Sequence, residues 1–368
     1  MTIAPQEKDK DTGSPPGEIP ASSTRKCVAG TIAGTILLVV AINFGLLWYL
    51  RHTPHNLGYW VVNHKWQTLA ERQEPADWLI LGDSSGLCSV DTNAIESELG
   101  GKALNLCTHA DCTVLNGVWM LQAYIDKHGP PRGVILVHVY DVWQRSMLLS
   151  VMTPMPAWSM DYVDPRPRCA AGWREQARLF LYRDVPLDSQ NRTLGRILQF
   201  RQTNASRDDT PRSYTSGGTI FMLRANPGYL EEDFAEHRAF LSQTHEFVVS
   251  ADNRAALRRY AELSKRHDFP IFLFNSPLYE KLWNYPEFQA YFSLIPEDLA
   301  EIVADSPRFH CLVDHPMVFS GDMLQSVDHI IEPAAGPFTD RIARRIQETL
   351  THESPAVVRR SIPETAQP

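Results

Sequence analysis

From Cys27 the chain runs CVAGTIAGTILLVVAINFGLLWYL and meets no charge until Arg51. At about 1.5 Å of rise per residue, such a run crosses a hydrocarbon core of about 30 Å. Residues 27–50 are therefore predicted to form a transmembrane helix, with Trp48-Tyr49 as an aromatic belt at its far end. A signal core is shorter and is followed by a small-x-small cleavage site, so the run reads as an uncleaved anchor. A helical pattern over Gly58–Arg72 follows, and then short apolar runs begin. Trp78-Leu-Ile-Leu81, ended by Gly82, has the pattern of a buried parallel strand. Ala103–Cys107, Val134–Val139, Ile271–Phe274 and His310–Val313 read as four more. Helical patterns cover Asn116–Lys127, stopped by Gly129-Pro-Pro, and Asp252–Arg266. A last helix over Phe338–Leu350 places Phe338, Ile342, Ile346 and Leu350 on one stripe. This alternation predicts an α/β fold, a three-layer, doubly wound, mostly parallel sheet with helices on both faces.

The chain divides accordingly. Residues 1–26, rich in Pro, Ser and charge, read as a disordered cytoplasmic tail. Residues 51–76 form a membrane-proximal linker and helix, and 77–354 form the body. An insertion over about 150–250 interrupts the alternation and reads as a lid over the strand ends, and 355–368 form a second disordered tail. Arg25-Lys26 before the span outweigh Arg51 after it, which favours a cytoplasmic N-terminus and a periplasmic, extracellular or luminal body. In such a compartment Asn191 and Asn204 are glycosylation sequons if the source is eukaryotic.

Charge and cysteine usage narrow the function classes. The 35 basic and 43 acidic residues give a net −8, which excludes a nucleic-acid partner on electrostatic grounds. The six cysteines show no paired CxxC spacing, and no metal or cofactor is expected. Cys88, Cys107, Cys112, Cys169 and Cys311 are an odd number beyond the span, so at least one stays free. Cys107 and Cys112 are spaced for a loop disulfide, although small buried hydrophobes are the simpler reading.

The candidate chemistry sits where such folds place it, at the carboxyl ends of the strands. Gly82-Asp83-Ser84-Ser85 follows the first body strand directly, giving Ser84 a reachable hydroxyl and an N–H to serve as an oxyanion donor. The same residues also suit an ordinary strand-to-helix turn. A nucleophilic serine needs a base. His329, in Ser-Val-Asp-His-Ile before the last helix, falls at the same end of the sheet, and Asp314-His315 is a competing pair. Asn275 and Ser276 end the fourth strand at that edge as substrate contacts or as a turn before Pro277. Trp283, Tyr285, Phe288, Tyr291 and Phe292 have the spacing of a helix packed on the core more than of a sugar-stacking surface. Arg344-Arg345 and Arg359-Arg360 read as solvated surface charge.

With these residues in view, the sequence resembles the SGNH (GDSL-like) hydrolase and acyltransferase superfamily. It looks most like the membrane-anchored branch containing the D-alanine transfer protein and the alginate O-acetylation proteins. Trp78-Leu-Ile-Leu-Gly-Asp-Ser-Ser matches the nucleophile block, and Asp328-His-Ile-Ile-Glu-Pro-Ala-Ala-Gly-Pro-Phe-Thr-Asp-Arg-Ile-Ala resembles the closing pattern of that branch. The resemblance implies a flavodoxin-like SGNH fold with Ser84 as nucleophile and His329 as base. Ala103-Leu-Asn-Leu-Cys-Thr-His-Ala and Val137-His-Val-Tyr-Asp141 occupy the second and third block positions more weakly. There are departures. The family acid sits two or three residues before the histidine, where this chain has Val327 and Ser326. Asp328 takes that role only if the chain turns there, because neighbouring side chains of an extended segment point oppositely. The oxyanion glycine is replaced by Ala110, and the third-block asparagine is Tyr140 or absent, with Asn105 and His109 as substitutes. Asp83, Asn105, Ala110 and Asn275 are the expected oxyanion or substrate-binding residues. The implied activity is esterase or O-acyltransferase chemistry, with acetyl as the group, on an envelope or secreted glycan. The implied donor partner is a multispanning membrane-bound O-acyltransferase. The alternatives are a non-catalytic SGNH-fold subunit that binds glycan or organises a membrane assembly, and a tethered glycan-binding protein of a different α/β fold.

Overall fold

A computed structural model describes residues 21–52, 57–147, 212–243 and 246–353, together with 181, 185 and 187. The sequons, Cys169, Arg359-Arg360, residues 1–20 of the first predicted tail, the second predicted tail and most of the insertion lie outside the described residues, while residues 21–26 of the first tail begin a helix instead of a disordered segment.

The first helix, α1 (Ala21–His52), contains the uncharged run; Lys26–Trp48 is long and apolar enough to cross a membrane. Leu37, Phe44 and Trp48 are each more than 60% exposed, a surface that water disfavours and lipid accepts. The next helix, α2 (Leu57–Glu71), buries Val61, Val62, Trp66 and Leu69 against the body.

The body alternates as the hydrophobic pattern predicts. It runs through β1 (Trp78–Gly82), α3 (Ser84–Ser89), α4 (Thr92–Leu99), β2 (Ala103–Asn105), α5 (Thr113–His128) and β3 (Gly133–His138). It continues with α6 (Pro227–Gln243), α7 (Ala251–His267) and β4 (Ile271–Asn275), and closes with α8 (Ile295–Val303), β5 (Phe309–Cys311) and α9 (Glu332–Glu353). The five strands form one parallel sheet in the order β2-β1-β3-β4-β5. Every residue of β1, β3 and β4 is buried, which is why these strands read as continuous apolar runs rather than alternating ones. Helices α2, α5, α7 and α8 pack in one chain of contacts, while α3, α4 and α9 pack in another.

Strand order reverses between β1 and β3. In a sheet of this order that crevice, at the carboxyl ends of the strands, is where ligands bind. Within the insertion the described part holds an antiparallel ribbon, Arg212–Tyr214 with Ile220–Met222, followed by α6. The aromatic run Trp283–Phe292 does pack on the core: Phe288, Tyr291 and Phe292 are buried.

Candidate functional site

The turn after β1 is built around a residue without a side chain. Gly82 has φ +155, and a Cβ there would lie 1.9 Å from the Val137 carbonyl oxygen of the neighbouring strand. Only glycine lets the two strands end this closely. The chain then enters α3, with Asp83 as its N-cap. Asp83 Oδ1 accepts from the Ser85 N–H (3.0 Å) and the Ser85 hydroxyl (2.5 Å). Asp83 Oδ2 accepts from the Val139 N–H (2.8 Å) and meets His138 Nδ1 at 3.2 Å. Burial alone would raise the Asp83 carboxyl's pKa; His138, Ser85 and the Val139 N–H reverse that and hold it below the ordinary value. Asp83 thus lies buried beneath the turn, tying it to the end of β3, and Ser84 beside it is half-buried at the first position of α3.

His329 comes from a hairpin. Leu324–Ser326 pairs antiparallel with His329–Ile330, and Val327-Asp328 form the two-residue turn. The chain therefore turns at Asp328. Asp328 Oδ1 lies 2.6 Å from His329 Nδ1, although the two are adjacent in sequence. Ser326, directly across the hairpin from His329, donates to Asp328 Oδ1 at 2.8 Å and meets His329 Nδ1 at 2.6 Å. Val327 is fully buried and fixes the turn: its N–H donates to Asp233 Oδ2 of α6, and its carbonyl accepts from the Tyr279 N–H. Burial would lower the His329 imidazole's pKa, but the Asp328 charge and hydrogen bond outweigh it and raise the value. Asp328 is likewise disfavoured as a carboxylate by burial, yet His329, His237 and Ser326 hold it well below the ordinary range.

Ser84 and His329 line one cavity of about 270 Å³, together with Ser326, Gln325, Thr108, His109, Tyr229 and an apolar wall. With Nδ1 engaged by Asp328, the nitrogen of His329 left for proton transfer is Nε2. Among the described residues no hydrogen bond joins Ser84 to His329; they meet as walls of the same cavity.

The other expected residues fall in different places. Asn105 is buried behind α3: its amide donates to the Gly86 carbonyl (3.1 Å) and its Oδ1 accepts from the Cys107 N–H (3.0 Å). Asn275 is buried at the end of β4 and donates to the Val313 carbonyl. Ala110 opens a short 3-10 turn capped by His109, whose Nδ1 accepts from the Asp111 N–H at 3.2 Å. Of these, His109 reaches the cavity as a lining residue. Tyr140 is fully buried against Phe288 and its hydroxyl meets His237 Nδ1 at 2.5 Å. The competing pair Asp314-His315 is 3.6 Å apart on the surface, with the His315 side chain 76% exposed.

Sequence reasoning missed Asp233, Ser326, Thr108, Tyr229 and the contribution of α2. The signal for Ser326 was present as the hairpin pattern Ser-Val-Asp-His, with a two-residue turn between two paired residues. Asp233 carried no such signal, because it acts across 94 residues of chain on the Val327 backbone. Cys107 and Cys112 are buried thiols that form no disulfide, which removes the loop disulfide. Burial pushes the Cys112 thiol up to about 12, so it stays protonated and unreactive.

No protein-family model matches the chain, and no curated protein matches it either.

Proposed function

We propose that the protein is a membrane-anchored SGNH-type serine esterase or O-acyltransferase. Its body would lie outside the cytosol, on the argument of the basic residues flanking the span, and would act on an envelope or secreted glycan. The observation that carries this reading is the Asp328–His329 pair on a hairpin whose histidine shares a cavity with Ser84. A serine, an imidazole and a carboxylate in these relations are the parts of a hydrolytic triad, and the strand order agrees with the flavodoxin-like core of the superfamily.

In this mechanism the Ser84 hydroxyl attacks the acyl carbonyl carbon while His329 Nε2 takes its proton. The tetrahedral oxyanion is held by N–H groups, for which Ser84 and Ala110 are the proposed donors. Its collapse breaks the donor's ester bond, and His329 returns the proton to the leaving oxygen. A glycan hydroxyl or a water then attacks the Ser84 ester, giving its proton to His329 and from there back to Ser84. Asp328 keeps the Nδ1 proton in place and stabilises the imidazolium, without itself being protonated. The resemblance supplies acetyl as the acyl group and a multispanning membrane-bound O-acyltransferase as the donor partner. Turnover of an aryl ester by the full-length protein, lost in both Ser84→Ala and His329→Ala, tests the assignment; equal turnover in either variant refutes it.

A second reading is a non-catalytic SGNH-fold subunit that binds glycan within a membrane acylation assembly. The absence of a hydrogen bond between Ser84 and His329 among the described residues favours it. The first reading is preferred because such bonds are often long in unliganded enzymes and tighten when substrate binds.

A further inference from the structure

We propose that the cavity shared by Ser84 and His329 is a pocket for an acyl chain longer than acetyl, and that helix α2, next to the membrane span, forms one of its walls. The inference rests on Ser84 accepting an acyl group, and it replaces the acetyl that the resemblance implies with a longer chain.

The walls have a pattern. Ser84, Leu87 and Cys88 recur at i, i+3 and i+4 along α3, so they share a face, and that face turns apolar one turn past the serine. Ile220 and Met222 alternate along one strand of the ribbon and both line the cavity. Val61 of α2 completes this wall. Val61, Leu87 and Ile220 carry no side-chain donor or acceptor, and Met222 carries only a weakly accepting thioether, so sugar hydroxyls placed against them would lose hydrogen bonds to water that nothing there replaces. Methylene groups lose nothing there, and each one buried strengthens binding by about four-fold.

Size points the same way. The cavity holds about 270 Å³, and a water molecule takes about 30 Å³ of the liquid. An acetyl group has three heavy atoms and would leave most of this space unfilled. At about 30 Å³ per heavy atom, a chain of roughly eight carbons fills it and one of about twelve carbons exceeds it.

Val61 is held in place by a residue that serves no other evident purpose. Lys65 lies one turn further along α2 and is fully buried. Its ammonium donates to the Asn105 carbonyl at 2.7 Å and to the Gly218 carbonyl. Gly218, at φ +91, gives the ribbon turn the left-handed backbone that brings its carbonyl there. These bonds lock α2 to the end of β2 and to the ribbon. The helix that follows the anchor is therefore part of the pocket and not a spacer.

The test uses the full-length protein in lipid nanodiscs with p-nitrophenyl esters of two, four, eight and twelve carbons. The expected kcat/KM peaks at eight carbons, and Val61→Phe lowers the octanoate-to-acetate ratio at least ten-fold while Val61→Ala raises the dodecanoate-to-octanoate ratio. A wild type that prefers acetate, or ratios that neither Val61 variant changes, overturns the pocket. Calorimetric binding of octanoate separates the two proposals, since it needs no working nucleophile. Octanoate binding weakened by Val61→Phe, without any ester turnover, keeps the pocket and removes Ser84 as the acyl acceptor. Absence of both binding and turnover overturns both.

Discussion

Asp328 and His329 are sequence neighbours, yet their side chains meet at 2.6 Å because the chain turns between Ser326 and His329. An extended segment would have sent them to opposite sides. The hairpin turn brings two adjacent side chains into the contact that orients the imidazole.

This contact makes a pH prediction. In the proposed mechanism the base works when His329 is neutral, and Asp328 raises the imidazole's pKa above its ordinary 6.5. Esterase activity should therefore rise with pH along a limb centred above 6.5. Asp328→Asn should lower kcat by up to about 10⁴-fold, as expected when a triad loses its orienting acid, and should move the limb of the residual activity to lower pH. A limb that does not move would separate Asp328 from the titrating base. The same pair contributes to stability within a window. The His329 share is complete below 6.5 and is lost as pH rises through its raised value, while the Asp328 share is present above about 3.8 and fades as pH falls through its depressed one.

Ser326 touches both members of the pair. Ser326→Ala removes one hydrogen bond to each and leaves the direct contact between them, so activity should fall by about two- to ten-fold, the worth of one ordinary hydrogen bond. A loss comparable to that of Asp328→Asn would make Ser326 a full member of the site.

The turn that presents Ser84 depends on Gly82 and Asp83. Gly82→Ala places a Cβ against the Val137 carbonyl and should destabilise the body by about 2–4 kcal/mol. Asp83→Ala strips His138 and the Val139 N–H of their buried acceptor and should cost about 3–5 kcal/mol. Denaturant midpoints measure both, and wild-type midpoints in either variant would refute this account of the turn.

Lys65 carries an alkaline signature. Burial lowers its pKa to about 8, so the unfolded chain binds more protons than the folded one between about 8 and 10.5. Stability contributed through this group therefore rises with pH across that window, by up to about 3 kcal/mol. The stability difference between wild type and Lys65→Met should grow in favour of wild type over the same range. A difference that stays constant would mean that the ammonium is not buried as described.

The sheet was legible in the sequence because its strands are buried on both faces. Trp78–Leu81 and Val134–Val139 needed no alternation to be recognised, and each strand end fell within two residues of its observed position. Ser84 and His329 were legible as the residues after the first strand and before the last helix. Asp83, Asn105 and Asn275 were recognised as polar residues at strand ends, but a strand end offers an inner and an outer side. The inner side took these three, where their hydrogen bonds hold turns and strand ends together. Asp233 and Lys65 were out of reach, since each acts on backbone groups far away in sequence.

The central claim is that Ser84 is an activated nucleophile with His329 as its base. Fluorophosphonate labelling of the full-length protein tests it most directly, because the reagent reacts with activated serines whatever the natural substrate. The account predicts labelling at Ser84 that Ser84→Ala and His329→Ala both abolish. Folded protein that does not label, or labelling that survives Ser84→Ala, would contradict it.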